Sequence, residues 1–199
     1  MRRFALSFPG SGRSSGLRAL PPQSFDALVL PHLDGAYNLA RFLTRDPALS
    51  EDAVQDAMVR AFRSFDQFRG DSPRAWLFAI VRNCCRSAMT SRNASGLHLI
   101  SETDSSAEDN PDRSDDPEQA LMRACDAAMV RDMVAALPEP FREAIVLRDL
   151  EELSYREIAE VTGVAMGTVM SRISRGRAMI AEQLSGRDGS AEDRSRTKQ

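Results

Sequence analysis

The chain has 199 residues, 42% apolar and 28% charged, with a formal net charge of −3; this allows one or two small soluble domains and excludes a bulk polyanion binder. No apolar run reaches the roughly 18 residues a membrane span needs, and three cysteines (Cys84, Cys85, Cys125) make no disulfide framework. Charge is blocked along the chain: four arginines and no acid in 72–101, eight acids against Arg113 in 101–119, three arginines and no acid in 168–181.

Lys198 is the only lysine. Codon bias in a GC-rich genome explains that as readily as function does, but either way the basic groups are guanidinium forks, which suit phosphates and base edges. Residues 1–23, MRRFALSFPGSGRSSGLRALPPQ, imitate a targeting peptide. Their apolar part is short and broken at Pro9-Gly10, so a disordered tail or an over-long start is expected in place of a secretory signal.

Residues 24–91 carry helical spacing throughout. SFDALVLPHLDGAYNLARFLT reads as one helix or two, with Pro31 interrupting. Ser50 is expected to cap the next helix, with Glu51 and Asp52 in its first turn. Val54, Met58, Ala61, Phe62, Phe65 and Phe68 then form a stripe seeking a core. The opposite face holds Asp52, Gln55, Asp56, Val59, Arg60 and Arg63. After the short loop at 68–71, Ser72 caps a helix with Pro73 at its first position. That helix, PRAWLFAIVRNCCRSAMTSR, is apolar on most sides, with a polar stripe of Arg82, Asn83, Arg86 and Thr90. Cys84 and Cys85 read as packing residues, the alternative being redox sensing or metal binding.

Residues 92–116 are acidic and Ser/Asp-rich, a flexible linker too long for a structureless loop inside one domain. The second domain, 117–185, opens at Asp116-Pro117 with a helix to about Ala136. Another follows from Pro138 or Pro140 to about Leu150. Ser154-Tyr155-Arg156-Glu157 is a capping box for a brief helix that Gly163 stops. The last helix runs from about Met166 to Leu184, and 186–199 read as a disordered tail. No strand pattern survives, so the fold class is all-α.

On a helical wheel the last helix puts Val169, Ile173, Ile180 and Leu184 on one side and Ser171, Ser174 and Arg175 opposite, with Met170 and Arg172 at the margins. Taken alone, it could be a surface helix with a solvated face. A short capped helix, a glycine turn and an arginine-bearing helix together match the helix-turn-helix pattern. In that pattern an apolar rear packs while short polar side chains and arginine enter the major groove.

LPEPFREAIVLRDLEELSYREIAEVTGVAMGTVMSRISRGRAMI resembles the promoter −35-reading domain, region 4, of extracytoplasmic-function (ECF) sigma factors, bacterial transcription initiation subunits. SEDAVQDAMVRAFRSFDQFRGDSPRAWLFAIVRN is similar to region 2 of the same family, which binds core RNA polymerase and opens the −10 element. The likeness covers 24–91 and 118–184, in the family's order. It implies docking on the clamp helices of polymerase β′ by Asp52, Gln55, Asp56, Arg60 and Arg63. For the −10 element it implies Phe68, Arg69, Asp71, Ser72, Arg82, Asn83 and Arg86, with Asn83 on a base and Arg82 and Arg86 on phosphate. Trp76 reads as core in preference to a stacking wedge. For the −35 element it implies Thr168, Met170, Ser171, Arg172, Ser174, Arg175 and Arg177. Met170 departs from the polar or basic residue expected there and would touch a thymine methyl. Ala165 stands where the family often has proline or serine. The implied partners are core RNA polymerase (the β′ clamp helices and the β flap), promoter DNA and an anti-sigma factor. No cofactor, metal or catalytic residue is implied, nor direct membrane insertion, and the implied compartment is the cytoplasm.

Two other classes compete. A stand-alone regulator would place a sensor or dimerisation domain ahead of its helix-turn-helix. An enzyme would need chemistry the sequence lacks: His32 and His98 are the only histidines, no cysteine pair has zinc spacing, and no Gly-rich phosphate loop precedes a helix.

Overall fold

The computed structural model describes the backbone of residues 24–94 and 117–196, and the side chains of 24–94 and 127–185. The disordered tail expected at 1–23 falls outside those residues, as does the flexible linker expected at 92–116 apart from 92–94, which are helical.

The first helix, α1 (Phe25–Val29), starts where the Ser24 hydroxyl accepts the Ala27 N–H at 3.3 Å. Pro31 does interrupt: a tight turn at Leu30–His32 leads into α2 (Leu33–Thr44). Arg45, in the left-handed conformation at φ 58°, ends α2.

The next helix, α3 (Pro47–Ser64), begins a turn earlier than expected. Asp46 accepts the Leu49 N–H at 3.0 Å and Pro47 takes the first position, so Ser50 is not the cap. Ser50 is buried within the helix, its hydroxyl donating to the Asp46 carbonyl at 2.6 Å. A capping signal fully supplied one turn earlier leaves a later serine to pack.

Ser72 does cap α4 (Pro73–Ala94), accepting the Ala75 N–H at 3.2 Å. The remaining helices are α5 (Pro117–Ala136), α6 (Glu139–Ile145), α7 (Tyr155–Thr162) and α8 (Met166–Arg196). A widened, π-type turn, Val146–Leu150, follows α6. The last helix continues past its expected end at Leu184 to Arg196, so 186–196 are helical where a disordered tail was expected over 186–199.

Helices α2, α3 and α4 form one bundle, and α6, α7 and α8 another. Two helical domains are therefore present, but they are not held apart. Helix α4 packs on α7 and α2 on α6. A single apolar cluster runs from Leu39, Leu77, Phe78 and Val81 to Ile145, Leu147, Ile158 and Ile173. Cys84 and Cys85 are free thiols buried in it, as a packing role requires.

Candidate nucleic-acid interface

The helix-turn-helix is built by short-range chemistry. The Ser154 hydroxyl accepts the Glu157 N–H at 3.3 Å while the Glu157 carboxylate accepts the Ser154 N–H at 2.8 Å, closing the capping box. Burial pushes the Glu157 carboxyl up, but hydrogen bonds from Ser154 and Ser72 and the nearby charge of Arg74 together hold it below the ordinary range. Gly163 takes φ 71° and ends α7, a conformation that a Cβ would strain.

Helix α8 presents the expected two sides over its first turns only: Ile180 is partly buried and Leu184, expected on the packed side, is 41% exposed. Val169 and Ile173 are buried. Gly176 is buried as well, at the crossing with α6: a Cβ there would lie 2.7 Å from Ile145 Cγ1. Thr168, Met170, Ser171, Ser174 and Arg175 are exposed, and Arg172 is half-buried. Arg177 is exposed but engaged, donating from Nε (3.1 Å) and Nη2 (2.5 Å) to the two oxygens of Asp149.

The second candidate surface lies around the loop before α4. Phe68 is half-buried, its ring 5.0 Å from that of Trp76, which also neighbours Phe65. Trp76 is thus partly buried, belonging to an aromatic cluster at the edge of the core. Arg69 folds back, its Nη1 donating to the carbonyls of Asp66 (2.6 Å) and Phe68 (2.8 Å). Asp71 is exposed and Ser72 half-buried. On α4, Asn83 and Arg86 face solvent. Arg82 does not join them. Its Nε donates to Glu143 Oε1 at 2.5 Å and its Nη2 to Oε2 at 3.4 Å, so it points into the second domain.

The third surface is the outer face of α3. Asp52, Gln55, Asp56, Arg60 and Arg63 are all exposed there. Asp56 and Arg60 pair at 2.7 Å one helical turn apart; the hydrogen bond from Arg60 holds the Asp56 carboxyl below its ordinary range. Phe62, expected in the core stripe, is 67% exposed and meets only the edge of Phe25 among the aromatic rings described. Ala53, Val54, Ala57 and Ala61 make up the buried apolar side of α3 instead.

Sequence reasoning missed four groups that define the domain contact. Arg74 Nη2 donates to Glu151 Oε2 at 2.7 Å. Arg45 donates to the carbonyls of Ala135 and Leu137 at the end of α5. Glu143 and Glu151 are the buried carboxylates among the described residues. Their partners lie 61 and 77 residues away, so no local spacing could have paired them.

Among the described residues no group of three or more His, Cys, Asp and Glu side chains could hold a metal ion. No described helix is long and apolar enough to cross a membrane.

Comparison with known proteins adds the family. Residues 28–95 match the model of Sigma-70 region 2 and residues 127–180 that of Sigma-70 region 4. The chain is 33% identical to the ECF RNA polymerase sigma factor SigE of Mycolicibacterium smegmatis, over 86% of its own length and 65% of that protein's. It is also 33% identical to the RNA polymerase sigma-H factor of Pseudomonas aeruginosa, over 81% of this chain and 86% of that protein. Its fold is similar to that of the sigma factor RpoE from Bartonella quintana, solved with the anti-sigma factor NepR. The TM-score is 0.60 at 29% identity, covering 78% of this chain and 93% of that one.

Proposed function

We propose, for a chain that belongs to the ECF RNA polymerase sigma factors, that it carries core polymerase to promoters by reading two DNA elements with its two domains. The observation that carries this reading is the pairing of two surfaces on one chain. A capped helix-turn-helix presents Ser171, Ser174 and Arg175 to solvent. An exposed polar face on α3 lies in a separate domain.

Helix α8 would lie in the major groove at −35. There Arg175 is placed to bond a guanine bidentately, Met170 to touch a thymine methyl, and Thr168, Ser171, Ser174 and Arg172 to meet base edges and phosphates. Arg177 would reach phosphate by exchanging Asp149 for it. At −10, Asn83 would take a base, with Arg82 and Arg86 on phosphates. Phe68, Arg69, Asp71 and Ser72 would frame the strand as bases leave the stack, which costs a few kcal/mol per base. Asp52, Gln55, Asp56, Arg60 and Arg63 would dock on the polymerase clamp helices, and the second domain on the β flap. Positioning and base capture suffice, with no bond chemistry, in the cytoplasm where polymerase works. An anti-sigma factor is the proposed regulator, supported by the complex of RpoE with NepR.

Run-off transcription with reconstituted core polymerase on a genomic promoter library is the test. Transcripts should share both promoter elements. Arg175→Ala should weaken −35 discrimination by about 1–3 kcal/mol at one base position. Asn83→Ala should shift −10 preference and slow opening. Unchanged promoter choice in both variants would refute the residue assignment, and absence of any polymerase-dependent transcript would refute the function.

A further inference from the structure

We infer that Gly167 is a specificity-determining residue of α8. It leaves a notch in the middle of the helix's exposed side, against which the edges of the −35 base pairs fit, and a side chain there would hold the helix out of the groove. The inference rests on the reading of α8 as the −35 helix, and adds to it a residue that acts by having no side chain.

The other described glycines each have an internal reason to be glycine. A Cβ on Gly35 would overlap the Glu151 carboxylate, one on Gly176 would press on Ile145, one on Gly70 would come within 3.0 Å of the Phe68 ring, and Gly163 has a φ of 71°. Gly167 has none of these. It lies inside α8 without a positive φ, it is exposed, and a Cβ there would meet nothing within 4 Å. Glycine weakens a helix relative to alanine, and nothing described in this chain offsets that cost. The offset then comes from what α8 touches.

Its place on the helix says where that contact falls. On the helical wheel Gly167 lies between Ser171 and Ser174, in the centre of the exposed side. Longer side chains border it: Met170, 45% exposed, on one margin, and Thr168 and Arg175 on the other. The gap is therefore a notch with walls, and it sits in the first turn of α8. The first turns of a recognition helix are the ones that meet base edges in the major groove. There the backbone at Gly167 would come against the base pairs with no methyl between them. A Cβ would fill the notch and lift the helix, lengthening the hydrogen bonds that Ser171 and Arg175 make to the same edges, and such bonds weaken steeply with distance. Contacts to phosphate at the rim, made by long flexible arginines, would tolerate the lift.

The test sets stability against binding in the full chain carrying Gly167→Ala. The thermal midpoint should rise by about 1–3 °C, because alanine is the better helix former and its methyl meets nothing in the chain. Binding is read by anisotropy on labelled duplexes of about 20 base pairs, enriched from a random pool by wild type, alone or with core polymerase, at about 50 mM salt. The variant should hold the enriched duplex about tenfold or more weakly, and a scrambled duplex within about twofold of wild type. Gly167→Leu should lose more than Gly167→Ala; equal losses would put backbone freedom in the place of space and overturn the inference. So would a stabilised Gly167→Ala that binds the enriched duplex as wild type does, or a lowered midpoint, which would give the glycine an internal role. Failure of wild type to enrich any sequence in either form removes the premise that α8 reads DNA, and the inference with it. Run-off transcription separates this inference from the functional reading. If wild type transcribes and Gly167→Ala uses the same promoters equally well, the function stands and the inference falls. If Gly167→Ala loses the enriched duplex but wild type supports no transcription, the groove contact stands and the functional reading falls.

Discussion

Cys84 and Cys85 show how burial settles the role of a reactive residue type. Burial pushes the Cys84 thiol up to about 11 and the Cys85 thiol up to about 12. The thiolate is the reactive form, so neither residue fits a redox sensor. The folded chain keeps these protons at pH values where the unfolded chain has released them. Their contribution to stability is therefore complete below about pH 8.5, the ordinary thiol value, and is lost as pH rises through about 11 for Cys84 and about 12 for Cys85. Urea midpoints should fall with rising pH above that onset, and Cys85→Ala should flatten the slope while lowering the midpoint throughout. Gly176 is decided by space in the same way. A methyl at the α6–α8 crossing would meet the Ile145 side chain, a packed neighbour flanked by the Phe141 carbonyl. Gly176→Ala should therefore destabilise by about 1–3 kcal/mol in spite of alanine's higher helix propensity. Thermal unfolding checks both sign and size.

Among the elements, α7 is the shortest part of the site and depends most on its ends. It has eight residues, below the length at which an isolated helix is stable in water. The capping box supplies two hydrogen bonds at its start, and Ile158, Val161 and Thr162 anchor its inner side. Ser154→Ala should cost about 1 kcal/mol, read as a lower unfolding midpoint. It should also weaken binding of the polymerase complex to −35 DNA, because α7 sets the angle at which α8 is offered. Helix α8 has no such cap at Ala165, and its placement comes instead from Val169, Ile173 and Gly176 locked against α6 and α7. The turn after α6 illustrates the same dependence. Its widened winding ends at Leu150 and Glu152 takes φ 51°; between them the Glu151 carboxylate meets Arg74 of α4 and lies beside Gly35 of α2.

Across the whole molecule, a common core joins parts that the sequence divides by an acidic stretch. That makes a prediction about cooperativity. Trp76 is the only tryptophan and reports on the first domain alone, whereas far-ultraviolet circular dichroism reports on helices of both. In wild type the two probes should unfold together, as expected when one cluster spans both domains. Gly35→Leu should separate them, because it displaces the Glu151 carboxylate from the domain contact and presses on the Phe78 ring of the first domain, 3.0 Å from the added Cβ, but on no side chain in the core of the second. Coincident transitions in that variant would mean that the closed arrangement does not depend on the seat of Glu151.

The sequence by itself determined the helical class, the helix-turn-helix with its capping box and glycine stop, and the exposed faces of α3 and α8. Each of these depends on residues within a few turns of one another: a hydroxyl three positions before its N–H, apolar side chains every third or fourth place, a glycine where φ must be positive. The tertiary structure alone decided the start of α3 among competing caps, the exposure of Phe62, and the pairing of Arg82 and Arg177 with carboxylates. It also decided the closure of the two domains over Arg74 and Arg82. Those outcomes hang on pairs distant along the chain and on how closely two backbones approach, and a linear pattern carries neither quantity.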